Sequence, residues 1–448
     1  MLSSKFLIIG AGQTGLHLAK ELSLLGENVV LIEQDAFGGS YLHSLDIPKF
    51  WLKHEARSFG SALEIFKDYQ TTFQILLNYR KSIRKLLQDK IMATYRYFLE
   101  DYENTPNLHI IAGKASFSSK NLIEIHNSGV TEFITFEHLI LAVGKNSLIT
   151  PLAFKNKNVR FLHQYSAFEF DKIPGSILIV GFNPDNLELA DLYSNLGIKV
   201  SIIEEKSIYQ AIPDIDADTI LYLEEHLKNR QIKCYFETAI LEIVQTKKVT
   251  IQAQEGQKIW IKDYEAIYIQ VQETFVDKGL GLHRAGINFD NNGIQTDSRC
   301  RTNTINVWAL GECNSQINKS NKLAKSTDFI FNLRRQNPNI RLWDMVGIGE
   351  GNALANSHIN LEIKTSKPIF GLGMSLQRAE SIYNPDIESE MIQKIDQEGF
   401  CKIWFRPSTG QIIGSILVGE MSQYRHYINA SISRGINAIE AVRYIISD

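Results

Sequence analysis

Apolar positions along this chain fall into short runs and helical stripes that alternate. Phe6 to Ile9 is an unbroken apolar run, the pattern of a strand buried on both faces. Leu16, Ala19, Leu22 and Leu25 then recur at helical spacing, Gly26 ends that helix, and Val29 to Ile32 is a second short run that delivers Glu33. From about Ala62 to Tyr102 the chain reads as mostly helical, with Leu63, Ile65, Phe66, Phe73, Leu76, Leu77, Ile83, Leu86 and Leu87 among its apolar positions and Lys and Arg on a solvated face. Strands follow near Leu108–Ile111, Leu122–His126 and Phe136–Val143, the last running into Gly144, with a break at Pro151.

From Ser176 the opening pattern returns. ILIVGFNPDNLELADLYSNLGIKVSIIEEK aligns with FLIIGAGQTGLHLAKELSLLGENVVLIEQD without a gap, so that Gly10 falls on Gly181, Gly26 on Gly197, Val29 on Val200 and Glu33 on Glu204. Two copies of one βαβ beginning imply two units of one kind. The second continues with strands near Lys233–Phe236, Ile240–Val244 and Ile267–Val271, and Val307 to Leu310 is an apolar run ending in Gly311 and Glu312. Residues from about Ile340 read as a third unit. In it Gly399–Phe405 and Ile412–Gly419 alternate as a hairpin around Ser408-Thr409-Gly410, and a closing helix from about Met421 to Ile446 breaks near Gly435.

Composition narrows the class without changing this layout. At 448 residues the chain is long enough for about two or three domains. A hydrophobic fraction of 44%, a charged fraction of 22% and a net charge of −3 describe a globular protein with no basic stripe, which argues against a nucleic-acid partner. No apolar run is long enough to span a bilayer, and the N-terminus enters a core strand with no room for a cleaved signal. The four cysteines, Cys234, Cys300, Cys313 and Cys401, form neither a CxxC pair nor a metal-ligand cluster. The expectation is a reduced, cytoplasmic protein without disulfides or a metal site.

The candidate chemistry starts at the first turn. Gly10, Gly12 and Gly15 lie between a strand and a helix, with Glu33 at the end of the next strand: a dinucleotide-binding fingerprint in its full context. Gly10 permits the tight turn, Gly12 lets backbone approach a pyrophosphate, Gly15 lets helix and strand pack closely, and Glu33 is placed to accept from a ribose. The helix N-terminus offers free N–H groups to the phosphates. Gly38-Gly39-Ser40 suit a second close approach of backbone to ligand. In the repeat, Asn183 and Asn186 replace the second and third glycines. A side chain at Asn183 is expected to crowd a pyrophosphate, and Asn186 to push helix from strand; Gly181 and Glu204 keep their places.

On these marks the chain resembles the FAD-dependent pyridine nucleotide–disulfide oxidoreductases, the group of dihydrolipoamide dehydrogenase, glutathione reductase and mercuric reductase. Ala142-Val143-Gly144 is similar to the family's ATG, Ala309-Leu310-Gly311-Glu312 to its A-x-G-D, and Leu280-Gly281-Leu282 and the C-terminal hairpin with helix complete the set. The resemblance implies an α/β fold with two Rossmann-like FAD/NAD(P)-binding domains and a C-terminal α+β dimerisation domain. It implies residues 1–150 and 282–340 for FAD, 151–281 for a degenerate NAD(P)-binding-like domain and 341–448 for the interface of a homodimer. FAD is the implied cofactor, with NAD(H) in doubt, and Glu312 stands where the family's aspartate holds the ribitol and phosphate side.

The departures point elsewhere. The family's GGTCLNVGCIPSK reads GGSYLHSLDIPKF, which puts Tyr41 and Asp46 at the redox cysteine positions and Phe50 at the flavin lysine, with Lys49 and Lys53 nearby but out of register; the lysine's usual partner, Glu188, remains. The family's V-G-R-x-P-N reads Val271-Gln272-Glu273-Thr274-Phe275-Val276, and the C-terminal His-Pro-x-x-x-x-Glu is missing. Without a dithiol in the chain, the usual thiol relay is excluded. The expectation is therefore an FAD-dependent oxidoreductase, not a disulfide reductase, that uses its flavin directly on a small-molecule substrate or electron acceptor. The alternatives are a flavin-binding scaffold without turnover and an FAD enzyme reduced by its own substrate instead of NAD(P)H. Asp46 reads either as a buried proton donor or acceptor at the flavin edge or as a local cap. Tyr41 reads as a substrate hydrogen-bonder or a space-filler, and His43 as a titrating group or a loop histidine. Cys313 is either near the flavin or a small buried hydrophobe, and Phe50-Trp51 either shield the ring or are core.

Overall fold

A computed structural model of the chain describes residues 2–66, 70–145, 147–149, 161–169, 173–213, 215–277, 279–316, 361–393 and 398–447, without the side chains of 63–84 and 147–149. The break at Pro151 and the start of a third unit near Ile340 lie outside these residues, as do the domain bounds at 150 and 340.

The first apolar run is the centre of a sheet. Leu2–Ile9 pairs in parallel with Val29–Glu33 on one side and Val130–Leu141 on the other, and Leu108–Ala112 extends the parallel side. Val130–Leu141 is long enough to serve two partnerships. Its first half is antiparallel to Leu122–Asn127, which pairs in turn with Lys114–Ser119, and its end is parallel to Val307–Ala309. Leu7, Ile8 and Leu31 have no exposed surface, as expected for strands covered on both faces. The helix Gln13–Leu24 covers one face with Leu16, Leu18, Ala19 and Leu22.

The repeat is structural as well as sequential. Ser176–Val180, Lys199–Ile203, Lys233–Tyr235 and Ala266–Ile269 form a parallel sheet, with the helix Pro184–Asn195 in the place of the first copy's helix. Phe6 pairs with Val29 and Ile177 with Val200, so the registers coincide, and Gly10 N donates to Ile32 O at 2.8 Å just as Gly181 N does to Ile203 O at 2.8 Å.

The remainder is antiparallel. Thr238–Gln245, Val249–Glu255 and Lys258–Tyr264 form a meander, and Gln272–Thr274 forms a ribbon with Ser147–Ile149. The C-terminal sheet runs in the order Glu362–Ile363, Ile369–Gly373, Gln411–Gly419, Gly399–Arg406, Glu388–Ile392, under helices Arg425–Arg434 and Ala438–Ser447 that part at Gly435. The expected hairpin and broken closing helix are therefore present. The long helical stretch is two helices, Asp46–Phe66 and Gln70–Glu103, and the strands Lys114–Ser119, Val249–Glu255 and Lys258–Tyr264 were not anticipated. Among the described residues no helix is long and apolar enough to cross a membrane.

Candidate functional site

The C-terminal ends of the first sheet open into a cavity of about 530 Å³, within the usual ligand-pocket range of roughly 300–1,000 Å³. Its wall gathers segments far apart in sequence: Gly10, Gly12 and Glu33 of the first turn, Gly39, Ser40, Tyr41, His43 and Asp46 of the second loop, then Gly144, Gly311 and Glu312. Gly15 and Gly38 stand just behind it, where Gly38 N donates to Ala11 O at 2.9 Å and ties the second loop to the first turn. Gly181 and Glu204 occupy the matching places of the second sheet and are not part of the cavity.

Each turn glycine has a distinct constraint. Gly10 has φ +103°, and a Cβ there would lie 2.5 Å from Ala142 O. A Cβ on Gly15 would lie 1.9 Å from Gly10 O, so helix and strand meet backbone to backbone. Gly12 is different: a Cβ there meets nothing within 4 Å, because it would project into the open cavity. Gly12 is also the N-cap of Gln13–Leu24, and no side chain caps that helix. Its first N–H groups and the positive end of its dipole are left for a ligand. A dinucleotide pyrophosphate fits this cradle on both counts, shape and charge.

The second turn satisfies itself. Asn183 Oδ1 accepts from Asn186 N at 2.9 Å and its Nδ2 donates to Gln270 Oε1 at 3.0 Å, so the amide caps the helix and spans the turn. Asn186 was expected to push helix from strand. Instead its Nδ2 donates to Val180 O and Gly181 O at 3.0 and 2.9 Å, joining the two in place of direct backbone contact. The acids do not distinguish the copies. Glu33 Oε2 accepts from Ala11 N at 2.6 Å and Oε1 from Asp35 N at 3.0 Å. Glu204 does the same with Phe182 N and Lys206 N, at 2.8 and 3.0 Å. In both copies the acid closes its own turn, so Glu204 alone does not identify a ligand site.

Near the second loop, Tyr41 is half-buried, and burial, with Asp46 adding, pushes its phenol above the ordinary range. Asp46 lines the cavity from the first turn of Asp46–Phe66 but is exposed, which removes the burial expected for it. His43 is drawn inward: Nε2 lies 3.0 Å from Phe37 O and the ring packs on Tyr95. Phe50 is 60% exposed and lies outside the wall, so it does not shield the cavity. Lys49 and Lys53, one helical turn apart, both reach Glu188, Lys53 Nζ at 3.0 Å from Oε1, so the carboxylate keeps lysine partners despite the register change.

None of the cysteines lines the cavity. Cys313 is fully buried, donates to Leu141 O and Leu310 O, and burial pushes its thiol up to about 12. Sequence reasoning missed Tyr165 and Asp277 of the wall, and placed Phe275 and Val276 in the nicotinamide half although they line this cavity. Tyr165 and Asp277 lie in no motif, and only the fold brings them there.

Residues 4–328 match the family described as pyridine nucleotide-disulphide oxidoreductase. The chain is 27% identical to a dihydrolipoyl dehydrogenase of Buchnera aphidicola subsp. Baizongia pistaciae, over 93% of this chain and 86% of that one. It is 24% identical to the dihydrolipoyl dehydrogenase of Bacillus subtilis (strain 168), over 92% and 88%. The HOCl-induced flavoprotein disulfide reductase RclA from Escherichia coli, in its Cu(II) complex, shares the fold with a TM-score of 0.77 at 18% identity, over 98% of this chain and 94% of that one. These relatives overturn the expected function. Dihydrolipoyl dehydrogenases match nearly end to end, so the expected direct use of the flavin without a redox disulfide does not stand, nor does the exclusion of disulfide reductase chemistry. Tyr41 and Asp46 remain facts of sequence; the function inferred from them, with its two alternatives, is not carried forward. The chain belongs to the pyridine nucleotide-disulphide oxidoreductase family, whose members bind FAD and take NAD(P)H as a substrate.

Proposed function

We propose that the chain is an FAD-dependent oxidoreductase of thiol–disulfide chemistry, exchanging reducing equivalents between a pyridine nucleotide and a disulfide substrate. The observation that carries this is the cavity itself, whose wall brings together an uncapped helix start, an open Gly12, Tyr41 and Asp46. Dihydrolipoyl relatives supply the substrate class. FAD, when bound, supplies a two-electron relay between hydride donor and disulfide. Overall one hydride and one proton enter, the S–S bond breaks, and two thiols leave.

In this reading Gly10, Gly12, Gly15 and the helix start hold the pyrophosphate, Glu33 the adenosine ribose, and Gly38, Gly39, Ser40, Gly144, Gly311 and Glu312 the remaining length of FAD. Tyr41, which keeps its proton at neutral pH, donates a hydrogen bond to an incoming sulfur. Asp46, open to solvent, accepts or returns the proton. NAD(H) enters at the second turn beside Gly181 and Glu204 by displacing the Asn183 cap, and binds weakly for that reason. Residues 1–150 with 282–340, 151–281 and 341–448 form the FAD, nucleotide and dimer units of a homodimer.

One cuvette tests the reading. Purified protein reconstituted with FAD is reduced anaerobically with NADH, then given lipoamide. Bleaching of the flavin bands by NADH and their return with lipoamide are expected. A flavin that NADH bleaches and only oxygen restores would remove the disulfide substrate.

A further inference from the structure

The chain crosses between its first and second sheets twice, and side chains tie the two crossings together. The outgoing crossing ends in residues 161–169, which join the second sheet through the Leu162–Tyr268 bridge. The return leaves Ala266–Ile269 through Val271 and the ribbon strand Gln272–Thr274. Gln164 clamps Val271 at both backbone groups: Oε1 accepts from Val271 N at 3.1 Å and Nε2 donates to Val271 O at 2.8 Å. The Tyr165 hydroxyl donates to Glu273 Oε1 at 2.7 Å, and Gln164 Nε2 approaches the same oxygen at 3.3 Å.

This tie is part of the cavity wall. Tyr165 lines it, and just past Glu273 the return crossing contributes Phe275, Val276 and Asp277 to the same wall. The far side of that segment is also held. Phe275 N donates to Asn291 O at 2.9 Å, and the Asp277 carboxylate accepts from Gly281 N and Leu282 N at 3.0 and 2.9 Å. Phe275 is 2% exposed and has little room to shift alone. Burial, then the charge of Glu273, holds the Tyr165 phenol well above its ordinary range, so the proton stays on the donor.

We propose that Tyr165 is a positioning residue of the FAD cavity: through its hydrogen bond to Glu273 it fixes the return crossing, and so sets how tightly and in what environment the flavin is held. This rests on the assignment of the cavity to FAD. The phenol makes the shorter of these two side-chain bonds to this oxygen, so its loss leaves Glu273 to the longer Gln164 contact and loosens the return crossing where it enters the wall.

The test compares wild type, Tyr165→Phe, Glu273→Ala and Glu273→Gln as full-length protein. FAD titration followed by flavin fluorescence gives affinity, the absorption bands of bound flavin report its surroundings, and thermal melts of the apoproteins report folding. Tyr165→Phe and Glu273→Ala are each expected to weaken FAD binding about 10-fold, with a common shift of the flavin bands and apoprotein midpoints like wild type. Glu273→Gln keeps an acceptor for the phenol and is expected to stay within about twofold of wild type. Wild-type affinity and bands in Tyr165→Phe overturn the proposal. So does a Glu273→Gln loss as large as that of Glu273→Ala, which would assign the effect to charge. An apo-Tyr165→Phe protein that does not fold overturns it as well, since the contact is then structural. A wild type that takes up no FAD removes the cavity assignment and the proposal with it, and is recognised without any variant.

Discussion

Single residues in the two turns make opposite demands, which substitution separates. Gly12→Ala adds a methyl where the protein offers open space at ordinary extended backbone, so the apoprotein is expected to melt like wild type while FAD affinity falls by at least ~10-fold. Gly15→Ala drives a methyl into Gly10 O and is expected to cost on the order of 3 kcal/mol of stability before any ligand is added. Equilibrium urea unfolding and FAD titration distinguish the two. In the second turn, Asn183→Gly releases Asn186 N at a capping cost of only a few tenths of a kcal/mol. NADH affinity, read by calorimetry, is expected to rise about 10-fold, or about 1.4 kcal/mol. Gly10, Gly12, Gly15 and Glu33 were legible in the sequence because their spacing is dictated by one local turn. Tyr165 was not, because its partner Glu273 is 108 positions away and no local pattern links them. The role of Asn186 was not legible because side-chain volume does not reveal it; its amide bonds two carbonyls, which converts a crowding side chain into a clasp.

Between elements, carboxylates on Pro184–Asn195 do the joining. Lys49 and Lys53 lie four apart on Asp46–Phe66 and meet one acceptor, Glu188, a consequence of helical period that a linear register comparison hides. One turn further, Asp191 is almost fully buried against His226 at 3.1 Å, Arg230 at 3.4 Å and Ser366 N at 2.8 Å, linking the second sheet to the C-terminal one. Burial opposes its charge, but His226, Arg230 and the Ser366 N–H outweigh it and hold the carboxyl below its ordinary value. A carboxyl whose folded value lies below its unfolded one contributes stability that is whole above the unfolded value, near 4, and is lost as pH falls through the folded one. Wild type is expected to lose urea resistance below about pH 4 more steeply than Asp191→Asn, which starts lower and changes less. The strand Lys258–Tyr264 escaped the sequence for the converse reason: it covers little, Ile259 and Ile261 being 54% and 64% exposed, so its apolar residues do not mark a buried face.

For the whole molecule, the duplicated architecture was readable because two gapless copies must adopt one register, and they do. The reaction was less readable, because a lost dithiol says what the chain does not carry and nothing of what its substrate carries. The last helix, Ala438–Ser447, has more apolar surface than one core contact needs. Ala441, Val442 and Ile445 face inward, while Ile439 and Ile446, two turns apart, are 61% and 63% exposed. The homodimer proposed above would cover that second stripe with a partner. Ile439→Asp with Ile446→Asp is expected to halve the mass measured by light scattering, with secondary structure unchanged.

The matched bonds from Ala11 N to Glu33 and from Phe182 N to Glu204 give the chain a built-in pair of gauges. Both amides are tied to a carboxylate before any ligand arrives, so their slow exchange with deuterated solvent starts from a common baseline. FAD is expected to slow the Ala11 amide alone, and NADH the Phe182 amide alone, each by capping its turn from outside. Exchange at two residues would then read the filling of both turns at once, in a single sample and without relying on flavin colour, and equal slowing of both amides by either ligand would show that the copies do not act separately.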